Sequence, residues 1–184
     1  ASNLLVSLAS DDATEIMVQA SVTILTGQTS VLFNVTVADD AVVDGVQTAA
    51  VSSAAAGFAE GGASVVVRDN ELDHLAWSAI SSPKTSSVPF SVTLSARDTN
   101  DYTIATYTNR AWLSGAGDGG AVALQPTNTG AFVAGQWLGS VQVFTADMNV
   151  RLTAGDGQGH SGTSTPFNVV AGPVHHFAWG PVAT

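Results

Sequence analysis

The sequence predicts an all-β protein made of two tandem antiparallel β-sandwiches. Three observations carry that prediction. Apolar and polar residues alternate with period two along much of the chain, the pattern of strands with one buried face. Clusters of Gly, Asn, Asp and Pro interrupt the alternation at short intervals, as turns do between short strands. A phrase also recurs: His74, Ala76 and Trp77 return as His176, Ala178 and Trp179, about 100 residues on, the length of one sandwich domain.

Composition agrees with that class. Of the 184 residues, 45% are hydrophobic, enough to fill real cores, and Val and Ala predominate among them. β-Branched residues suit a pleated surface. Five Lys or Arg stand against fifteen Asp or Glu, for a net charge of −10. That balance repels nucleic acid and anionic membranes, since both require clustered cations. No cysteine is present, so neither disulfides nor thiolate metal sites are used. No apolar run approaches the ~18 residues of a membrane helix. No leader segment is visible, and the cysteine-free β pattern points to a bacterial exterior setting.

The elements follow in order. Residues 4–8 and 20–24 read as strands. In residues 31–37, Val31, Phe33, Val35 and Val37 share one face, and Leu32, Asn34 and Thr36 the other. Alanine makes residues 49–59 the one helix candidate, but Val51-Ser52-Ser53 and Gly57 oppose it. A strand over residues 46–53 and a turn region over 54–62 are expected instead. A strand ending at Val67 runs into the acidic turn Asp69-Asn70-Glu71, where the first domain should end. In the second domain, residues 90–96 bury Val92, Leu94 and Ala96 on one face, and residues 137–143 repeat the pattern with Trp137, Val141 and Val143. The expected organisation is 1–71, 72–170, and a tail 171–184 holding a junction and the start strand of a next repeat, or a donor strand.

Residues 4–71 resemble a bacterial Calx-beta repeat. The resemblance rests on 20–24 (Ala-Ser-Val-Thr-Ile), 26–30 (Thr-Gly-Gln-Thr-Ser), 33–37 (Phe-Asn-Val-Thr-Val), the Asp39-Asp40 to Asp44-Gly45 turn, and Val65-Val66-Val67 leading to Asp69-Asn70-Glu71. The family opens with a Glu-Gly turn and two strands that precede the segment matching Leu4 to Leu8. The resemblance therefore implies a sandwich met two strands in, with a groove and unpaired edges for something to fill. Residues 72–170 are similar to the invasin-type immunoglobulin-like repeats of bacterial surface proteins, through Phe90 to Asp98, Tyr102 to Tyr107, Ala111 to Ser114, Gly135 to Val141 and Leu152 to Gly162. Both resemblances imply immunoglobulin-like sandwiches in an extracellular stalk.

Chemistry-bearing residues are few. Asp39, Asp40 and Asp44 share one turn, and Asp69 and Glu71 another. Calx-beta domains in animals bind Ca²⁺ through clustered carboxylates, so the resemblance implies calcium here, at a convergence of the two turns near the junction. Ca²⁺ takes about 6–8 oxygens. Solvated acidic turns are the plainer reading of the same residues. Asp11, Asp12 and Glu15 form a further acidic turn. His74, His175 and His176 begin the repeated phrases, where packing beside Trp77 and Trp179 competes with a metal role. Asp156, His160 and Ser161 lie too close in sequence to form a catalytic triad readily, no Gly-x-Ser-x-Gly elbow occurs, and the reading is not an enzyme. Trp77, Trp137 and Trp179 read as core or junction residues. Trp112, near Arg110, is the best candidate for a surface aromatic.

The expected function is structural: a stalk or filament subunit whose partners are other copies of itself or adjacent repeats, with no nucleic acid and no membrane insertion. A donor strand from the tail, centred on Val174, His176, Phe177 and Trp179, would complete the first domain of a neighbour. Asp69, Glu71, His74 and Trp77 form the junction set. The alternative is a calcium-dependent adhesin or glycan-binding module.

Overall fold

The computed structural model describes residues 2–173. Every regular element among them is a β-strand, and no helix is long and apolar enough to cross a membrane. The chain divides into two compact units, Ala1–Glu71 and Leu72–Thr184.

Unit 1 holds β1 (Leu4–Ser10), β2 (Ile16–Val18), β3 (Ser21–Ile24), β4 (Val35–Val37), β5 (Gln47–Ala54) and β6 (Gly61–Val67). A four-stranded sheet runs in the order β3-β1-β5-β6, and β2 pairs with β4 in a separate two-stranded sheet. The helix candidate forms strand instead: β5 buries Ala49 and Val51, and a turn with Gly57 at φ 81° leads into β6. Left-handed backbone of that kind is free of steric cost only for glycine. The buried core of this unit is a small cluster of Ile16, Ala49, Val51 and Val67.

One expected strand forms only in part. Residues 31–37 carry the alternation, yet only Val35–Val37 pairs with a neighbour, through Ile16↔Val37, Met17↔Thr36 and Val18↔Val35. The physical reason lies in the partner. Beyond Val18 the chain leaves for β3 in the other sheet, so residues 31–34 have nothing to bond with. The face expected to be buried stays open: Val31, Phe33, Val35 and Val37 are all exposed, and Leu32 on the other face is 98% exposed.

Unit 2 is a fuller sandwich. Its strands are β7 (His74–Trp77), β8 (Lys84–Thr85), β9 (Phe90–Arg97), β10 (Trp112–Gly117), β11 (Gly120–Ala121), β12 (Leu124–Gln125), β13 (Gln136–Val143), β14 (Asp147–Gly155), β15 (Ser161–Thr163) and β16 (Phe167–Val170). One sheet runs β12-β13-β9-β7. The other runs β11-β10-β14-β16-β8, with β15 also on β14. All pairings are antiparallel except β16 with β8. The alternation read from sequence settles inward as expected: Val92, Leu94 and Ala96 of β9 meet Trp137, Val141 and Val143 of β13 in the core. The opposite sheet adds Leu113, Val150, Leu152, Ala154, Phe167 and Val169. Phe90 packs edge-on against Phe167, with ring centroids 5.6 Å apart. Such aromatic pairs add ~0.5–1.5 kcal/mol beyond their area.

Among the described residues, Ser95, Asp98, Thr129 and Ser164 are the buried polar residues of this unit, and Asp98 and Thr129 hold backbone N–H groups. Thr129 Oγ1 accepts the Ala111 N–H at 2.8 Å. Asp98 accepts N–H groups from Asn100 at 2.9 Å and Tyr102 at 2.7 Å, closing the turn after β9. The repeated phrase at 174–182, with Val174, His176, Phe177 and Trp179, lies outside the described residues.

Candidate functional site

Unit 1 brings its carboxylates to one place. A cleft of about 330 Å³ is lined by Asp39, Asp40, Asp44, Asp69 and Glu71, joined by Glu15. The turn after β4 supplies the first three, and the chain after β6 supplies Asp69 and Glu71. Asn70 ties the two segments together, donating its side-chain N–H to Asp39 Oδ1 at 3.0 Å. Asp69 organises the floor: Oδ2 accepts the Gly45 N–H at 2.9 Å, and Oδ1 accepts the Glu71 N–H at 3.0 Å.

Glu15 corrects the sequence reading. It was expected to form a separate acidic turn with Asp11 and Asp12. Those two serve local structure instead: Asp12 caps its own turn by accepting the Thr14 N–H at 3.0 Å, and Asp11 Oδ1 accepts the Ala50 N–H at 2.6 Å. Glu15 turns inward to the cleft and is only 9% exposed. Its carboxylate makes no hydrogen bond among the described residues. Nothing in the local sequence marks it; the signal is its position just before Ile16, the fully buried start of β2.

The charges perturb one another. Burial raises the Glu15 pKa, reinforced by the negative charges of Asp44, Asp12, Asp40 and Asp69. A hydrogen bond with Asp69, together with burial and the charges of Asp69 and Asp39, pushes Glu71 up to about 7. Burial opposes ionisation of Asp69. Hydrogen bonds from the Glu71 side chain and from the backbone of Glu71, Gly45 and Asp44 outweigh it and hold Asp69 below the usual carboxylate range. The two carboxyl groups therefore titrate as a pair, with Glu71 taking up a proton more readily than Asp69. As the side chains stand, no three His, Asp or Glu among the described residues are grouped to hold a metal ion.

A second feature of unit 1 is apolar. Leu8 of β1, Val51 of β5, Ala63 and Val65 of β6, and Phe33 and Val35 line an open groove of about 290 Å³. Beside it, residues 31–34 make no backbone hydrogen bond among the described residues. The groove and the bare backbone adjoin through Phe33.

The two described histidines of unit 2, His74 and His160, each lie against carboxylates. His74 Nδ1 lies 2.8 Å from Asp73 and its Nε2 3.1 Å from Asp101, so its described partners are carboxylates rather than the tryptophan. His160 Nδ1 lies 2.6 Å from Asp156 Oδ2. Burial opposes the Asp156 charge, but hydrogen bonds from the His160 ring and from the backbone of Gln158 and His160 win, and its pKa falls. Ser161 does not join this pair; it sits in β15 opposite Gly155. Trp77 is half-buried and donates Nε1–H to Gly162 O at 3.0 Å. Trp137 is in the core, and Trp112 is 65% exposed.

No family model matches the chain, and no curated protein matches it. Among solved structures it is similar to domains 1–6 of the surface layer protein SbsC, with 17% identity and a TM-score of 0.44, over 97% of this chain and 20% of that one. Domains 4–9 of the same protein give 15% identity and 0.46, over 97% and 23%. Domains 4 and 5 give 13% and 0.44, over 90% and 70%. The chain spans about a fifth of the length of the first of these.

Proposed function

We propose that this chain is a structural module of an extracellular, cell-surface repeat protein, and that unit 1 is completed by a β-strand donated from a second copy. The observation that carries the reading is the bare backbone of residues 31–34 lying beside the open groove of Leu8, Phe33, Val51 and Val65. Unpaired backbone edges and open apolar faces favour addition of a strand, which supplies hydrogen bonds and side chains together. The donor is the segment with Val174, His176, Phe177 and Trp179. Its sequence repeats that of β7, and β7 is a strand that buries Leu75 at 1% exposure. Phe177 stands where Leu75 stands in the phrase, so Phe177 is the anchor for the groove. A contact of this head-to-tail type propagates into a filament when it does not close. The composition suits the setting: a cysteine-free acidic chain built from short strands.

Deleting residues 174–184 tests the reading. Regular filaments of the intact chain by electron microscopy, lost on deletion and restored by no other truncation, are expected. Filaments that persist without the segment would refute the donor role.

Glu15 supports a second reading, a calcium-responsive module. A carboxylate held close to several others, on a residue with little exposure, gains from a cation that offsets their mutual repulsion. All-oxygen donors suit Ca²⁺ rather than zinc, and Asp39, Asp40, Asp44, Asp69 and Glu71 would supply them once the loops drew in. Millimolar Ca²⁺ should raise the melting temperature of the intact chain, and Glu15→Gln should remove most of that rise. A melting temperature indifferent to Ca²⁺ would end this reading and leave the strand-donor reading untouched.

A further inference from the structure

We propose that unit 2 binds a neutral mono- or disaccharide in the cleft lined by Tyr107, Asp156 and His160. The loop that joins β14 to β15, residues 156–160, is built on one carboxylate. Asp156 Oδ1 accepts the Gln158 N–H at 2.7 Å and the His160 N–H at 3.1 Å, and Oδ2 meets His160 Nδ1 at 2.6 Å. The Asp156 side chain is only 9% exposed. Tyr107 packs against the core of the unit, its ring edge-on to Phe132 with centroids 5.1 Å apart. Together with Leu72, Asn109 and Gln158, these side chains line a single cleft of about 380 Å³. Small-molecule sites occupy roughly 300–1,000 Å³.

The Tyr107 hydroxyl marks the cleft as a site. It is buried and has no hydrogen-bond partner among the described residues. Buried polar atoms are nearly always paired, because an unmatched one destabilises the fold. A ligand that reaches this hydroxyl removes that penalty. Burial and the charge of Asp156 keep the phenol protonated, so it offers an O–H and calls for an acceptor oxygen. His160 calls for the opposite. Asp156 is held ionised and fixes the proton of the neutral ring on Nδ1, which leaves Nε2 as an acceptor. The side chains of Asn109 and Gln158 make no hydrogen bond among the described residues, and amides both donate and accept. Neighbouring sugar hydroxyls supply donors and acceptors within one small molecule, and Leu72 gives the C–H face of the ring an apolar wall. A peptide unit carries both groups as well, but its planar trans geometry points N–H and C=O in opposite directions. Asp156 already accepts from the ring and from two backbone N–H groups, so it does not require a cation. No Lys or Arg lines the cleft to hold an anion, and a purely apolar ligand would leave the Tyr107 hydroxyl unmatched. The site uses unit 2 alone and does not depend on how unit 1 is completed.

Maltose, cellobiose, lactose and N,N′-diacetylchitobiose, each titrated into the intact chain while its amide signals are followed by NMR, test the proposal. A blocked trialanine peptide is titrated alongside. At least one sugar should bind with millimolar or better affinity and move the Asn109, Gln158 and His160 signals. Tyr107→Phe deletes the hydroxyl and keeps the ring on Phe132. It should weaken that binding about three- to tenfold, as loss of one hydrogen bond does, while the melting temperature holds or rises. Asn109→Ala, at an exposed position, should weaken binding without altering the fold. No binding by any of the sugars overturns the proposal. So does sugar binding that Tyr107→Phe leaves intact, or a loss that comes with a lowered melting temperature, which would make the hydroxyl a structural group. Binding of the peptide and of no sugar, lost in Tyr107→Phe, would assign the cleft to a polypeptide and overturn it too.

Discussion

Asp156 shows how one hydrogen-bond set decides a titration. His160 and two backbone N–H groups hold its carboxylate below the ordinary range against the opposing effect of burial. A depressed native pKa stabilises the fold above the unfolded carboxylate value, about 3.9. That contribution is withdrawn as the pH falls below that value and through the lower native one. Acid melts of Asp156→Asn should therefore lose part of the steepness seen in the parent below about pH 4, while the neutral-pH stability drops. An identical acid slope in both proteins would count against the assignment. Asp98 is the complementary case, a buried side chain that closes a turn by accepting the Asn100 and Tyr102 N–H groups. The turn at Asp98 was legible in sequence because aspartate bonds the backbone two residues on. The inward turn of Glu15 was not, since it depends on where β2 sits against the acidic loops.

Strands and their junctions carry the next level of order. β9 and β13 were legible because both faces of their alternation have work to do: one packs in the core, the other faces water. β4 follows the same pattern but shortens, because strand formation needs a neighbour with free backbone. Alternation reports amphipathic chemistry and says nothing of pairing. Close approach is equally invisible in a one-dimensional pattern. At Gly162 in β15, an added Cβ would stand 1.5 Å from the Leu75 carbonyl oxygen of β7. Trp77 bonds the carbonyl oxygen of the same glycine. Gly162→Ala must force the two strands apart, at a cost of about 1–3 kcal/mol or more. Chemical denaturation should show that loss, together with a red shift of Trp77 emission. A neutral substitution would mean that β15 is free to move away from β7.

The two units differ in how much apolar surface they close. Unit 2 wraps Leu75, Leu94, Trp137, Leu152 and Phe167 in one continuous core. Unit 1 buries only Ile16, Ala49, Val51 and Val67 as a cluster, and leaves Phe33 and Val35 on its open groove. Hydrophobic burial scales with area removed from water, at about 25 cal/mol per Å², so unit 1 is the weaker body. Calorimetry of the intact chain should resolve two transitions, with unit 1 melting first. A peptide of residues 174–184 should raise only the lower one. A single cooperative transition, unmoved by peptide, would contradict both the imbalance and the donor strand.

The all-β class, the absence of helix from residues 49–59, the inward faces of β9 and β13 and the exposure of Trp112 could all be read from residue order. Each follows from local periodicity and from side chains that act one strand at a time. Other features depended on segments distant in the chain: Glu15 joining Asp39 to Glu71 in one cleft, the Asp101 contact of His74, and the glycine contact between β15 and β7. A strand's pattern says which face it will bury. The presence of a partner within hydrogen-bonding distance, on which the bare backbone of residues 31–34 turns, is a property of the packed chain alone.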